Sequence, residues 1–284
     1  MRKLTALVDG STYAHSVCDH AAWIAQRADV SVELLHVLGR REMSGSTSDL
    51  SGNIKLGARS ALLAELSALD EQRAKLAQKR GWAILEDAKA ILEKAGIEDI
   101  STRLRIGDLV ETVAESEADA SMLLVGKRGE AADFAKGHLG SNVERLARAS
   151  HRPLFVASRA FRPIERVMVA HDGGDSIAKA IDHMATNSLL DGLNIHLLSV
   201  GVETKSASER LERDAARLAE AGHHPTTEIV SGQPETVFAD RVEGGQVDLL
   251  VMGAYGHSRI RNLVIGSTTT TMLQSCKVPV LLFR

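Results

Sequence analysis

The chain has 284 residues, of which 44% are hydrophobic but only 3% aromatic, and this suits two domains of ordinary size with aliphatic cores. Its 34 Lys and Arg and 37 Asp and Glu residues leave a net charge of −3, which argues against binding to nucleic acid or to an anionic membrane. No signal peptide or membrane-spanning run is recognisable, and two cysteines far apart in the sequence exclude a disulfide framework. We therefore expect a cytoplasmic, soluble protein without membrane insertion.

The first half of the chain begins with a short apolar strand that ends at Asp9-Gly10, and it continues as alternating helices and strands. Residues 108–111 (Asp-Leu-Val-Glu) supply the cap of its third predicted helix. A segment with two glycines, Gly126-Lys127-Arg128-Gly129, follows an apolar run and precedes the pair Gly140-Ser141.

Between Val37 and about Ser101 the first half carries extra residues, which begin with a polar stretch from Met43 to Asn53. A long helical pattern follows, and its apolar side is formed by Leu62, Leu66, Leu69, Leu76, Ile84, Ala88 and Leu92. Gly81 is a candidate break in this helix. We expect one amphipathic helix that covers its own sheet. The alternative is a projecting arm that binds a partner or a second copy of the chain.

The second half repeats the alternation of strands and helices. Apolar runs predict strands at residues 166–171, 194–200, 226–230, 248–252 and 278–283. The first helix between them has an apolar face formed by Ile177, Ile181, Met184 and Ala185. Ser206 and Glu209 form a predicted capping box for the second helix, Gly222 ends that helix, and Pro234 begins the third.

The segment that is most informative about function follows the apolar run 248–252. It contains Gly253 and Gly256 and then, after nine residues, Gly266-Ser267-Thr268-Thr269. Glycines at the exit of a strand allow a tight turn and a close approach of the backbone to an anion. A helix predicted from Ser267 to Ser275 would direct its first N–H groups towards that anion. The alternative is a strand-to-helix turn that needs glycine and binds nothing.

The two halves are copies of each other. Asp9 and Asp172 are 163 residues apart, and the same offset relates Asp19-His20 to Asp182-His183. This repetition indicates a tandem duplication, with one domain at residues 1–160, a second at 161–284, and a helical insertion at about 40–97. Strands that alternate with helices predict two doubly wound, Rossmann-like parallel sheets whose ligands bind at the carboxyl ends of the strands.

The spacing Gly-x2-Gly-x9-Gly-Ser, together with Asp-Gly after the first strand, resembles the universal stress protein family, and the duplication resembles its tandem, two-domain members. The resemblance covers essentially the whole chain apart from residues 40–60. It implies a five-stranded parallel sheet of order 3-2-1-4-5 in each domain and an internal pseudo-dimer formed through the last strand of each half. In many members it also implies ATP bound at the strand ends.

For the second half, the resemblance implies that Asp172 lies beside the ribose, Ala170 near the adenine and the backbone of Val200 next to the base. The ribose and phosphates would then contact the glycine segment at Met252, Gly253, Gly256, Gly266, Ser267, Thr268 and Thr269. These residue types suit their roles, since a short carboxylate matches a ribose diol and glycine and hydroxyl groups match phosphate. A plain Asp-Gly turn is the alternative explanation of Asp172.

In the first half, the corresponding positions are Asp9, Val37, Gly126, Gly129, Gly140 and Ser141. This glycine segment departs from the family pattern, because ten residues rather than nine separate Gly129 from Gly140. They include Glu130 and Asp133, whose carboxylates are unfavourable near a polyphosphate unless a cation bridges them. Lys127 and Arg128 have the opposite effect, because both could contact phosphate. We therefore expect the nucleotide mainly in the second half.

No Walker motif, metal-ligand cluster or paired-carboxylate signature is present, so no catalytic or metal-binding residue is assigned. The leading hypothesis is a stress-response regulatory protein that binds ATP or ADP, with or without Mg²⁺, and hydrolyses it slowly or not at all. One alternative is a weak Mg²⁺-dependent ATPase that uses Asp172, with His257 as the candidate for positioning water. The other is a nucleotide-independent scaffold for unknown protein partners, which include a second copy of the chain.

Overall fold

The computed structural model describes residues 2–39, 56–129, 141–254 and 267–284. Within these ranges the strands are β1 (Lys3–Leu7), β2 (Ser31–Leu38), β3 (Ile100–Ile106), β4 (Met122–Gly126), β5 (Leu154–Ala157), β6 (Arg166–Ala170), β7 (Asn194–Val200), β8 (Thr226–Val230), β9 (Leu249–Gly253) and β10 (Val280–Phe283). The α-helices are α1 (Ala14–Ala28), α2 (Leu56–Lys94), α3 (Leu109–Ser116), α4 (Ser141–Ala149), α5 (Asp175–Thr186), α6 (Lys205–Glu220), α7 (Pro234–Glu243) and α8 (Ser267–Ser275).

All ten strands form one continuous sheet with the order β3-β2-β1-β4-β5-β10-β9-β6-β7-β8. Each half therefore has the order 3-2-1-4-5 and is internally parallel, as predicted. The halves meet through β5 and β10, which pair antiparallel with Leu281 opposite Phe155. This pairing confirms the internal pseudo-dimer.

The core forms two layers, one on each face of the common sheet. Successive residues of a strand point to opposite faces, so Leu4 and Ala6 belong to one apolar cluster and Leu7 to the other. One face is covered by α1, α2, α5 and α6, which contribute Val17, Leu85, Ile177 and Leu211. The other face is covered by α3, α4, α7 and α8, which contribute Val113, Leu146, Phe238 and Met272. Each cluster extends through both halves.

Two of the cations that link the halves bind the ends of α-helices. Lys127, directly after β4, donates from Nζ to the carbonyl oxygen of Cys276, just beyond the end of α8. Arg284 donates from Nη1 to the carbonyl oxygen of Arg148 in the last turn of α4. The last carbonyls of a helix lack intrahelical partners and carry partial negative charge. Each half thus supplies a cation to a helix end of the other half.

The long helix α2 covers the sheet with only its last third. There Leu85, Ala88 and Leu92 are buried, whereas earlier in the helix Leu69 and Leu76 are 42% and 69% exposed. The expectation that the whole helix covers its sheet is therefore wrong for its earlier residues, because the sheet ends before the helix does. The exposed part has the character of the projecting arm that was the alternative.

Gly81 does not break α2, which continues through it to Lys94. It marks the point where the helix comes closest to the sheet, because a Cβ added there would lie 2.8 Å from Cδ1 of Leu104 on β3 and 3.0 Å from Cδ2 of His36 on β2. The absence of a side chain thus serves close packing rather than a turn. The predicted break is wrong for this reason.

Of the four predicted features at helix ends, three are confirmed. Asp108 caps α3 by accepting from the backbone N–H of Val110 and Glu111, Pro234 is the first residue of α7, and Gly222 follows α6 with a φ of +92°. The capping box at Ser206 is wrong. Thr204 caps α6 instead and accepts from the N–H of Ala207 at 3.2 Å, because its extended backbone suits the cap and lets the helix start two residues earlier.

The exposed earlier part of α2 and its buried last third should respond differently to the same substitution of leucine by alanine. Leu85→Ala should lower the free energy of unfolding by about 2–5 kcal/mol, because it leaves a cavity in the core. In the monomer, at protein concentrations too low for self-association, Leu76→Ala should change it by less than about 0.5 kcal/mol, because the side chain is largely solvated. Urea unfolding of both variants measures the difference. A loss for Leu76→Ala as large as that for Leu85→Ala would contradict the exposed arm.

The buried Lys127 predicts a pH dependence of stability. Burial, assisted by the nearby charge of Arg128, lowers the pKa of Lys127 from 10.5 to about 8. Between these values the unfolded chain holds a proton that the folded protein has released, so this residue's contribution to stability rises with pH from about 8 to 10.5. Wild type should therefore gain up to about 3 kcal/mol over Lys127→Met across this range.

The measurement is urea unfolding of both proteins at constant ionic strength, at pH values inside and below this window. Lys277→Met is the matched control, because that side chain is 77% exposed and should show no such difference. Parallel pH profiles of wild type and Lys127→Met would contradict the assigned burial of the ammonium group.

Candidate functional site

The centre of the second half-sheet brings together the predicted residues on three adjacent strands. Ala170 at the end of β6 is level with Met252 on β9 and with Leu198 on β7. Asp172 and Val200 each lie two residues beyond this level, and Gly253 ends β9. The five predicted positions that the structure describes on these strands therefore lie at neighbouring carboxyl ends, where parallel α/β sheets bind ligands.

The Asp172 turn connects β6 to α5. Oδ1 of Asp172 accepts from the backbone N–H of Gly174 at 2.9 Å, and Gly173 between them has a φ of +69°. A side chain at this position would be strained in the left-handed region, which explains the glycine. The turn holds the carboxyl group of Asp172 at the tip of the central strand of this half.

The first turn of α8 is fastened to the sheet through its two threonines. The buried Thr269 donates from Oγ1 to the carbonyl oxygen of Gly253 at 3.1 Å. Thr268 donates from Oγ1 to Oε1 of Glu235 at 2.6 Å, and this hydrogen bond lowers the pKa of Glu235. Both hydroxyl hydrogens are therefore engaged with protein acceptors. What the helix end offers an anion is its backbone N–H groups, which have no intrahelical partner in the first turn.

The corresponding tip of the first half is packed with its own residues. Oδ1 of Asp9 accepts from the N–H of Ser11 at 3.0 Å, and a Cβ added at Gly129 would lie 3.0 Å from Oδ2 of the same carboxylate. A Cβ at Gly126 would lie 2.9 Å from the Cβ of Tyr13, whose side chain is buried. By the repeat offset, Tyr13 corresponds to the much smaller Ser176 in the second half.

The two basic residues of the first-half segment have different surroundings. Lys127 donates from its ammonium group to the carbonyl oxygen of Cys276 in the other half, so in this structure its contact lies at the junction of the halves. Arg128 keeps a buried Nε without an acceptor among the described residues. Val37, at the end of β2, is level with Arg105 on β3. Predicted positions that lie outside the described residues are Gly140, Gly256 and Gly266, while Ser141 and Ser267 begin α4 and α8.

A polar cluster beside Asp172 was not found from the sequence. Nε2 of His171 lies 2.9 Å from Oδ2 of Asp214 on α6, with the histidine side chain only 2% exposed. One turn earlier on α6, the guanidinium of Arg210 packs on Gly173. The repeat could have indicated this cluster, because the offset of 163 aligns His171 with the apolar Val8 of the first half.

A cavity of about 280 Å³ lies at the opposite ends of the second-half strands, lined by the first residues of β6, β7 and β8, namely Arg166, Asn194 and Thr226. It contains none of the predicted site residues. The candidate site is therefore assigned from topology, since ligands of doubly wound sheets bind at the carboxyl ends. Within the described residues, no helix is long and apolar enough to cross a membrane, and no group of three or more His, Cys, Asp or Glu is arranged for a metal ion.

The fold and the strand-end site define a tandem α/β protein with two duplicated half-sheets joined edge to edge. The model of the universal stress protein family matches residues 1–158 and 163–284, and the chain belongs to this family. It is 36% identical to the universal stress protein Slr1230 of a Synechocystis strain over 287 residues, which is 100% of both chains.

Two solved structures extend the comparison. A universal stress protein from Archaeoglobus fulgidus has 18% identity and a TM-score of 0.72, with 99% of this chain and 98% of that chain covered. A universal stress protein solved in complex with cAMP has 22% identity and a TM-score of 0.37, and the match covers 43% of this chain and 98% of that one.

Proposed function

We propose that the chain is a cytoplasmic stress-response regulator that binds ATP or ADP mainly in its second half, with little or no hydrolysis. The observation that carries the proposal is the convergence of Ala170, Asp172, Val200, Met252 and Gly253 on three adjacent strand ends. The start of α8 is fastened to the same place by Thr269. Membership of the universal stress protein family supports the choice of ligand.

In this proposal each part of the nucleotide meets a group of suitable chemistry. The carboxylate of Asp172 would accept from the ribose hydroxyls, and the backbone at Val200 and Ala170 would face the adenine. Gly253, the glycine segment and the first N–H groups of α8 would hold the phosphates. Mg²⁺ would arrive with the nucleotide, bound chiefly through phosphate oxygens.

The packing of the first-half tip supports a principal site in the second half. In the first half, Asp9 lies against Gly129 and the buried Tyr13 lies against Gly126. Lys127 is engaged with the other half. A nucleotide entering the first half would meet these contacts, whereas the second half has the much smaller Ser176 at the position that corresponds to Tyr13.

Calorimetric titration with ATP tests this proposal, and Asp172→Ala and Asp9→Ala form a matched pair. Asp172→Ala should weaken ATP binding about 10- to 100-fold, because it removes a charged acceptor from the ribose hydroxyls. Asp9→Ala should weaken it much less. Wild type should also melt at a higher temperature when ATP is added, because a ligand that binds the native state stabilises it. Neither heat nor stabilisation at millimolar ATP would refute the proposal.

The ATPase alternative predicts a different experimental result. Mg²⁺-dependent release of phosphate should then exceed the buffer rate and disappear in Asp172→Ala. The proposed regulator instead requires ATP binding with turnover close to that of buffer. His257, the group considered for positioning water, lies outside the described residues.

A second candidate function is self-association through the arm, the exposed part of α2 between residues 63 and 80. Leu69 and Leu76 are exposed there and lie seven residues apart, on one side of the helix. This side is about 160–180° around the helix from Leu85, which packs on the sheet. A single exposed leucine is ordinary, but a stripe of them on a helix is typical of a docking surface.

The charges of the arm favour a second copy of the chain as its partner. Its first half carries Glu65, Asp70 and Glu71, and its second half carries Arg73, Lys75, Lys79 and Arg80. If two arms pair antiparallel about the midpoint of residues 72 and 73, Leu69 lies opposite Leu76 and Glu65 opposite Arg80. These four residues share one side of the helix, since they are spaced by four, seven and four. Such a surface is self-complementary, as a two-fold interface requires.

Sedimentation velocity tests the arm. Wild type should form a dimer, and Leu69→Gln/Leu76→Gln should be monomeric because the apolar contact is lost. Glu65→Lys should weaken the dimer, and Glu65→Lys/Arg80→Glu should restore it by exchanging the paired charges. Ser67→Gln, on another side of the helix, should leave the dimer intact. A monomeric wild type at its highest soluble concentration, or a double leucine variant that remains dimeric, would contradict self-association.

A further inference from the structure

Arg210 lies directly on the turn that carries Asp172. A Cβ added at Gly173 would lie 2.8 Å from Nε of Arg210 and 3.6 Å from its Cζ. Nη1 of Arg210 donates to Oγ of Ser206, one turn earlier on α6, at 2.9 Å. Its Nε is buried and has no acceptor among the described residues. The guanidinium is therefore held at the candidate site with part of its hydrogen-bonding capacity unused.

The carboxylate one turn further along the same side of the helix does not neutralise this guanidinium. Asp214, four residues after Arg210, is held by Nε2 of His171 at 2.9 Å and lies 3.8 Å from Nε of Arg213. No ion pair joins Arg210 to a carboxylate within the described part of the chain. Because a guanidinium stays protonated in proteins, and a buried donor without an acceptor is unfavourable, the site is suited to an anionic group supplied by a ligand.

The first half provides an internal control for this cluster. Helices α2 and α6 end alike, since Gly96 and Gly222 both follow them with positive φ and are 126 residues apart. That offset places Ile84 where Arg210 stands and Ala88 where Asp214 stands, and Val8 matches His171 by the offset of 163. All three polar residues of the second half are thus apolar in the first. The fold does not require the polar cluster, so a role in the second-half site explains it better.

The position of Arg210 indicates which part of a nucleotide it would touch. Helix α6 packs with α5 on one face of the sheet, whereas α8 packs with α7 on the opposite face. The first turn of α8 would hold the phosphates of the 5′ chain. Arg210 approaches Asp172 from the other face of the sheet. An anionic group that it binds would therefore be attached to the ribose of the ligand and not to the end of its 5′ phosphate chain.

We propose that Arg210 binds a phosphoryl group esterified to the 2′ or 3′ hydroxyl of the ribose, so that the second half prefers adenine nucleotides phosphorylated on the ribose. This inference rests on the proposed nucleotide site and specifies which nucleotides that site prefers. The planar fork of the guanidinium suits two phosphate oxygens. The pair formed by His171 and Asp214 holds α6 against the end of β6 and so positions Arg210.

Four ligands separate the contribution of the nucleoside from that of a phosphate at each ribose position. They are adenosine, 5′-AMP, 2′-AMP and 3′-AMP. Calorimetric titration of wild type should give tighter binding of 2′-AMP or 3′-AMP than of adenosine, by about 10- to 100-fold. Comparison of these two ligands identifies the hydroxyl that carries the phosphate. Arg210→Gln should remove this advantage and leave adenosine and 5′-AMP binding unchanged. Arg213→Gln, which removes a charge from an exposed neighbour on the same helix, should retain it.

The alternative role for Arg210 is to order the Asp172 turn. In that case Arg210→Gln would weaken adenosine as much as 2′-AMP and 3′-AMP, and the inference would be overturned. Equal affinities of wild type for adenosine and both ribose phosphates would also overturn it, while binding of adenosine and 5′-AMP would leave the proposed nucleotide site standing. If none of the four ligands nor ATP binds, the proposed function fails, and this inference fails with it.

Discussion

The antiparallel pairing of β5 with β10 is the constraint on which the rest of the architecture depends. It joins two parallel half-sheets into one sheet and removes an exposed edge from each half. Because the pairing is antiparallel, the strands of the two halves run in opposite directions, and their carboxyl ends lie at opposite ends of the sheet. The two candidate sites are therefore separate and could diverge independently. Lys127 and Arg284 cross this junction and bind the helix ends that the reversal brings within reach.

Much of the fold could be predicted from the sequence because the duplication provides each pattern twice. Apolar runs and alternating helices define parallel sheets, and Asp108, Gly222 and Pro234 mark helix ends through local chemistry. The wrong predictions concern features that the local sequence pattern does not determine. A cap at Thr204 or Ser206 depends on where the loop enters the helix. The effect of Gly81 depends on a sheet that contacts α2 only in its last third.

The proximity of the predicted site residues could be inferred from the sequence, but the side chains that surround them could not. Its residues follow strands, so topology alone brings Asp172, Val200 and Gly253 together. Arg210 and Asp214 come from the middle of a helix that reads as an ordinary amphipathic one, and their approach to the β6 tip needs three-dimensional packing. The contrast with Ile84 and Ala88 in the first half gives these polar residues their significance. In the first half, Tyr13 packs against Gly126 at the strand-end tip, and Lys127 bonds to the other half across the junction. The second half has the smaller Ser176 at the position that corresponds to Tyr13.

The central claim is that two copies of one fold differ in their capacity for a nucleotide. A high-resolution electron-density map of the protein, purified without added ligand and then soaked with ATP, tests it most directly, because both sites are viewed in one molecule under one condition. The account predicts nucleotide density at Asp172 and at the start of α8, with the first-half tip still closed by Tyr13 and Gly129. Nucleotide bound equally in both halves, or only beside Asp9, would contradict it.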